Sequence, residues 1–390
     1  MDYPFYFTWS AQNMATPFEI FDSKGCFYTT TENKKIYDFS STSFHVAFGH
    51  SPIFLTERLK SQLDALVTAS PKAVFDLKVV ATKKLLKFMN QKEGKIFYTT
   101  SGAESIENAL KMARDVTKKP IILSMENSYH GATLGALSVT GDWRNSSHQT
   151  VEEWTVRIPS AKDDPDLLKT EKIIQEIDPK NIAGLCLETI TGGNGVYAAD
   201  QNWWDGINRL KKRYGLLLIL DEVVCGFGRT GLPFGYQHYK IDADFICLAK
   251  IISGGLIPFG AVYTAKNISD FYQTNTLSCG LTNYATPLGL AAMDSVIDYL
   301  KTYKKQLGEI TLFFNQSLEE LKLCSKVKEI RSIGLLAAID VKENISFKNL
   351  LDIGIYAMVK DERTIVLAPP FVTTKSELQQ GFSLLKDLLD

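Results

Sequence analysis

The chain is predicted to be an α/β protein with an open, mostly parallel central sheet and a second, smaller α+β unit. Three observations carry this. Short apolar runs alternate with helical patterns through the middle of the chain. Those runs are nearly continuous rather than alternating, as parallel strands covered on both faces require. After Pro287 the rhythm changes to two long helical stretches, followed by strand, helix, strand and helix. With 390 residues the chain can bury about 75% of its unfolded surface, room for a large core or two units.

The expected strands are KIFYTT from Lys95, PIILSM from Pro120, IAGLCLE from Ile182, LLLILDE from Leu216 and DFICLA from Asp244. Between them, ESIENALKMARDV sets Ile106, Ala109, Leu110 and Ala113 at i, i+3, i+4 and i+7, one face of a helix. NWWDGINRLKKRYG ends in basic residues and a glycine, which suits a helix C-terminus. Past Pro287, helices are expected from Pro287 to Lys304 and from Glu309 to Leu323. The strand LLAAIDV, a helix, the strand TIVLAPP and a last helix follow. Residues 1–45 are expected to join this part of the chain. Residues 1–45 and 287–390 then make a discontinuous smaller domain around a large one at 46–286.

Composition narrows the function. A net charge of −1 gives no global field that would gather nucleic acid or anionic lipid. No run approaches the roughly 20 apolar residues of a membrane helix. The start, MDYPFYFTWSAQ, has neither a basic n-region nor an apolar h-region, so a cytoplasmic protein is expected. Cys26, Cys186, Cys225, Cys247, Cys279 and Cys324 are scattered without C-x-x-C, and read as reduced thiols. The histidines show no metal-ligand spacing, so no metal is expected.

The chemistry gathers at strand ends. LLLILDEVV is apolar and then closes in Asp221-Glu222. In open α/β sheets ligands bind beyond the carboxyl ends of strands, so an acid there points at a site. A helix cap or a structural salt bridge would also explain it. Lys250 closes another apolar run, FICLAK, before Ser-Gly-Gly. A lysine in such a run is costly unless paired, neutralised or able to reach water. TTSGAESIENA ends a strand, turns at Ser101-Gly102-Ala103 and begins a helix at or near Glu104. Free amides at such a terminus form an anion site, although tight turns of this kind are common. The absence of G-x-x-x-x-G-K-[ST] excludes a nucleotide P-loop. Tyr129-His130-Gly131 follows PIILSM, where an aromatic side chain can stack on a planar ligand. A phosphate cradle, a stacking ring, an acid and a lysine together suit a phosphorylated aromatic aldehyde.

On these residues the sequence resembles the class III, ω-amino acid type, aminotransferases, which use pyridoxal 5'-phosphate on fold type I. The resemblance covers nearly the whole chain. It is most specific in LDEVVCGFGRTG followed by ICLAKIISGGLIPFGAV, and extends to TSGAESIENALKMAR, SYHGATLGALSVTG and CGLTNYATPL. It implies that Lys250 carries the cofactor as an aldimine, its burial and cationic surroundings favouring the neutral amine, and that Asp221 partners the ring nitrogen. It implies that Ser101, Gly102 and Ala103 hold the phosphate. Tyr129, with His130 beside it, and Val223 would enclose the ring, and Glu188 would lie near the ring hydroxyl. Phe44 would line the substrate pocket. Thr282 would serve the phosphate of a neighbouring subunit, which implies a homodimer with no nucleic-acid or membrane partner.

The chain also departs from the family pattern. Val224 replaces a glutamine that bonds the ring oxygen, Ile251 replaces a glycine, and Cys279 replaces a common histidine. Gly193 stands where glutamate-using relatives carry a gating acid, which argues against the ornithine, acetylornithine and 4-aminobutyrate groups. FTWSAQ resembles the β-alanine, taurine and related ω-amino acid:pyruvate enzymes. The simplest register puts Val359 where those hold a carboxylate-binding arginine, with Lys360 and Arg363 nearby. The implied activity is transfer of an amino group from an ω-amino acid or amine to a keto acid such as pyruvate, through pyridoxamine phosphate. An aminomutase or racemase of the same fold would need the same Lys250 and Asp221. A non-catalytic binding protein is the third reading.

Overall fold

The computed structural model describes residues 3–148 and 150–390. The N-terminal strands β1 (Ile20–Lys24), β2 (Phe27–Thr30) and β3 (Lys35–Asp38) form an antiparallel meander. The central strands are β4 (Lys95–Thr99), β5 (Ile121–Met125), β6 (Thr155–Ile158), β7 (Ile182–Glu188), β8 (Leu217–Asp221), β9 (Phe245–Leu248) and β10 (Gly260–Thr264). They form one sheet in the order β4-β10-β9-β8-β7-β5-β6, parallel except for β10, which runs antiparallel to both neighbours. The C-terminal strands are β11 (Val327–Ile333), β12 (Leu336–Val341), β13 (Ile355–Tyr356), β14 (Met358–Lys360) and β15 (Thr364–Leu367). Four of them make a sheet of order β11-β12-β15-β14, while β13 crosses over to pair in parallel with β3.

The continuous apolarity of the central strands has a direct cause. Leu218 and Leu220 of β8 pack on one face, with Leu185 and Leu187 of β7, Ile246 and Leu248 of β9, and Trp203, Trp204, Ile207 and Leu210 of the helix Gln201–Tyr214. Ile219, Cys186 and Cys247 pack on the other face, against Ile106, Ala109, Leu110 and Ala113 of the helix Gly102–Thr117. Both faces are covered, so both alternating sets must be apolar. Fully burying Ile106 or Leu110 contributes about 1.5–3 kcal/mol each. The helix Gln201–Tyr214 stops where expected, at Gly215 in the left-handed region (φ 61°).

Two central strands were not read from the sequence. β6 is an edge strand whose Arg157 guanidinium donates to the carbonyls of Ser138, Val139 and Thr140, so TVRI lacks a long apolar run. β10 follows the Gly- and Pro-containing turn after Lys250, which interrupts the apolar run. The helix at Pro287 ends at Thr302, and the next spans Lys304–Leu321, close to the expected pair. Among the described residues, no helix is long and apolar enough to cross a membrane.

Buried Arg229 ties the central sheet to the C-terminal region. Its guanidinium donates to the carbonyls of Leu335 (3.1 Å) and Pro369 (2.7 Å), and to Ser41 Oγ (3.0 Å). It also lies 4.8 Å from the Phe371 ring centroid. Burial pushes this group down to about 9, and Asp38 nearby works against that. The segment it grips is unusual: Ser41, Thr42 and Phe44 all have positive φ (46°, 57° and 71°). Asp38 fixes this turn by accepting from the amides of Ser40 and Thr42. Such backbone strain persists only when neighbours over-determine it, and here the turn delivers Phe44 and His45 towards the cleft.

Candidate active site

Five parallel strands deliver their carboxyl ends to one crevice. β4 leads to Thr100–Ala103, β5 to Tyr129–His130, β7 ends in Glu188, β8 in Asp221, and β9 leads to Ala249–Lys250. These ends line a cleft of about 530 Å³. The crevice is where an open α/β sheet presents free loops and unpaired strand termini.

Asp221 is buried at the base of the cleft. Its Oδ2 pairs with His130 Nδ1 at 2.8 Å, and its Oδ1 accepts from the Val223 amide at 2.9 Å. Burial opposes charge on the His130 ring, but Cys186 and Asp221 outweigh it and hold this histidine well above its ordinary value. The His130 amide donates to Thr140 Oγ1, which fixes the ring's approach. Asp221 is thus held by the His130 ring on one oxygen and the Val223 amide on the other.

Lys250 is half-buried and lines the same cleft. Its backbone is in the left-handed region (φ 53°), opening a single 3₁₀ turn that ends at Ser253. Burial lowers its ammonium below the ordinary lysine range, while Asp221 and Glu188 pull the other way. The expectation of cationic surroundings is therefore corrected. The charges that act on Lys250 are carboxylates, and desolvation alone favours its neutral form. Nζ lies 5.9 Å from the Phe44 ring centroid.

Glu188 accepts from the amides of Tyr129 (3.0 Å) and Gly192 (2.8 Å). Burial pushes it up to about 7, His130 opposing and Asp221 reinforcing. It is a carboxyl that changes charge near neutral pH beside the lysine.

The turn Ser101–Ala103 opens the helix Gly102–Thr117, with Ser101 Oγ accepting from the Glu104 amide at 3.2 Å. That cap leaves the amides of Gly102 and Ala103 as the first two of the helix, without intrahelical acceptors. A Cβ on Gly102 would lie 2.9 Å from Val223 Cγ1, so only glycine lets this terminus close on Val223. Thr100, not foreseen, is engaged by Glu104 Oε2 through both its amide and hydroxyl.

The family model for class-III aminotransferases matches residues 8–389. The chain belongs to that family. An acetylornithine aminotransferase of Archaeoglobus fulgidus is 30% identical over 369 residues, 93% of either chain. A solved taurine:2-oxoglutarate aminotransferase of Bifidobacterium kashiwanohense, in complex with PLP and glutamate, superposes with a TM-score of 0.92 at 28% identity, covering 98% of this chain and 94% of that one. An amine transaminase from an uncultivated Pseudomonas shares the fold with a TM-score of 0.92 at 23% identity, covering 100% and 99%. The relatives' names differ in their amino donors, so membership sets the reaction and not the substrate.

This class-III aminotransferase depends on pyridoxal 5'-phosphate, and the cleft fits it. Two free helix amides at a glycine packed closely against Val223 suit a phosphate. Tyr129 and Val223, both lining the cleft, suit the two faces of a flat ring. A buried carboxylate suits a protonated ring nitrogen, and a lysine of lowered basicity suits an aldehyde. Of the residues expected here, Ser101, Gly102, Ala103, Tyr129, His130, Glu188, Asp221, Val223 and Lys250 come together around one cleft. Phe44 lies just beneath Lys250. Thr282 does not join them: it is exposed in a separate groove with Pro71, Lys72, Leu277 and Cys279. His45 also lines the cleft and was missed, although it directly follows Phe44 in FHVAFGH.

Proposed function

We propose that this aminotransferase takes its amino group from an ω-amino acid or amine and delivers it to a keto acid such as pyruvate. The observation that carries this is the apolar wall beside Lys250. A Cβ at Gly193 would lie 3.3 Å from Met358 Sδ and 3.9 Å from the Phe44 ring. The place of a gating acid is thus closed by a thioether and a phenyl ring. Val224 and Val366 belong to the same apolar cluster. An apolar wall suits a plain methylene chain next to the amine and leaves a second charged group there unpaired.

In this reading the bound cofactor supplies an electron sink for the carbon that carries the amino group. Lys250 Nζ would hold the cofactor and would move the proton of the carbon that carries the amino group. Asp221 would face the ring nitrogen, and His130, bonded to its Oδ2, would keep it aimed. The amides of Gly102 and Ala103 would hold the phosphate, with Ser101 capping their helix. Tyr129 and Val223 would enclose the ring, and Glu188 would lie near its hydroxyl.

Thr282 is assigned to a partner's phosphate in a homodimer. Its exposure away from Lys250 supports this, as do the exposed apolar side chains of Phe5, Tyr6, Met14, Ile53 and Val74. Residues 1–45 and 287–390 are taken as the smaller domain around 46–286, supported by the pairing of β13 with β3.

The test is a donor panel of β-alanine, taurine, putrescine, 1-phenylethylamine, 4-aminobutyrate and acetylornithine against pyruvate and 2-oxoglutarate. Turnover of ω-amines with pyruvate is expected. Turnover confined to acetylornithine with 2-oxoglutarate would reject the reading.

A further inference from the structure

A second cavity, of about 640 Å³, adjoins the cofactor cleft. Among the described residues, Glu188 is the one that lines both. Its carboxyl is tied to each side. Oε1 accepts from the amide of Tyr129, a wall of the cleft, at 3.0 Å. Oε2 accepts from the amide of Gly192 at 2.8 Å, in the loop whose Thr191 and Asn194 line the second cavity. Asn127 and Ser160 add further polar groups to that cavity. A space of this size with hydroxyl and amide walls holds water.

Amino transfer needs an outlet for protons. An amine donor arrives as an ammonium at neutral pH and must lose a proton before its nitrogen can bond. Cofactor and donor share the cleft of about 530 Å³, so that proton needs a way out which they do not block. Lys250 is itself pushed towards its neutral form by burial, and is a poor place to keep it. Asp221 is taken up by the His130 ring and the Val223 amide. His45 lines the cleft but not the second cavity. Glu188 bonds only its two amides among the described residues, so each oxygen keeps a lone pair for a proton. Burial pushes it up to about 7, His130 opposing and Asp221 reinforcing, so it loads and unloads near neutral pH.

We infer that Glu188 is a proton relay between the cofactor cleft and water in the second cavity. An N–H bond of the ammonium breaks and an O–H bond on Glu188 forms. That O–H bond then breaks to a water of the second cavity, which gives hydronium and restores the carboxylate. No electrons enter or leave. When the product amine departs as an ammonium, the flow reverses. The same path serves Lys250, on which the Glu188 charge acts directly. The inference holds for any amine donor, and it rests on Lys250 as the group that moves the proton of the reacting carbon.

The experiment uses the best donor of the panel, deuterated on the carbon that bears the amine, in a single half-reaction. Mass spectrometry divides the deuterium between the aminated cofactor and the solvent. In the wild type a large share is expected to wash out, because Lys250 exchanges through Glu188. In Glu188→Gln the washed-out share relative to the retained share should fall about tenfold. Ala198→Trp narrows the second cavity from an exposed wall without touching Glu188. It should lower washout in the same direction and leave cofactor affinity unchanged. A second readout needs neither cofactor nor turnover. In the cofactor-free protein, the infrared band of a protonated carboxyl should appear as the pH falls through about 7. The Glu188 component is the part lost in Glu188→Gln and kept in Glu222→Gln. Washout that is unchanged in Glu188→Gln or in Ala198→Trp, or a Glu188 carboxyl that stays charged well below that pH, overturns the relay. If Glu188→Gln does not fold, Glu188→Asp with wild-type melting withdraws the carboxyl by one methylene and carries the same test. If no deuterium leaves the donor carbon at all, the assignment of Lys250 fails, and the infrared titration still decides whether Glu188 can load a proton.

Discussion

At the residue scale, the site depends on a few atoms that have no substitute. Lys250→Ala should abolish the visible absorbance of bound cofactor and lower turnover by about 10³-fold or more. Retained absorbance on an unaltered fold would place the attachment elsewhere. Gly102→Ala is a gentler test. The new Cβ meets Val223 Cγ1 at 2.9 Å, so the methyl group that should press on the ring must move. A displacement of that kind is expected to weaken cofactor binding about tenfold, read by equilibrium dialysis, while the melting temperature changes little. Unchanged cofactor affinity would show that Val223 does not set the ring plane. Lys250 and Asp221 were legible in the sequence because each ends an apolar run, where a charge needs a reason. His45 was not. It ends no apolar run, and only the positive-φ turn before it brings it to the cleft.

At the element scale, buried acids after β7 and β8 make stability depend on pH. Glu222 accepts from Thr189 Oγ1 and from the amides of Gly235 and Tyr236, stapling the loop after β8. Burial pushes it up from 4.5 to about 7, its donors opposing, as burial does for Glu188. Both acids bind protons more tightly folded than unfolded. Their contribution is therefore complete below about 4.5 and is lost as the pH rises through about 7. The two-and-a-half-unit gap corresponds to roughly 3 kcal/mol per acid. His130, raised as well, acts with the same sign, while His45, lowered by burial and by Lys250, acts against it. The melting temperature should thus fall between about pH 4.5 and 7, and Glu222→Gln should flatten the slope. An equal slope in that variant would remove Glu222 from the account. The same elements show why some strands were readable and others were not. β7, β8 and β9 are covered on both faces and spell that out in sequence. β6 and β10 do not, one being an edge with an arginine and the other an antiparallel insertion behind a glycine turn.

At the scale of the whole molecule, one prediction concerns assembly. A dimer is expected in solution by light scattering, and Thr282→Ala should weaken cofactor binding although Thr282 lies outside its own chain's cleft. Full cofactor affinity in that variant, or an active monomer, would rule out the shared site. The long helix that opens at Pro287 was legible from the change of rhythm there, but the partner of the N-terminal meander was not. β13 is two residues long and has no periodicity to read. Yet Ile355 and Tyr356 pair with Tyr37 and Asp38, closing a sheet across about 300 residues of intervening chain. During synthesis at about 5–20 residues per second, the meander emerges first and waits on the order of tens of seconds for its fourth strand. A nascent chain halted before Ile355 should therefore carry an open strand edge next to Asp38, and with it the strained turn beneath Lys250 left unbraced. Such a fragment is expected to be a substrate for chaperones rather than a partly active enzyme.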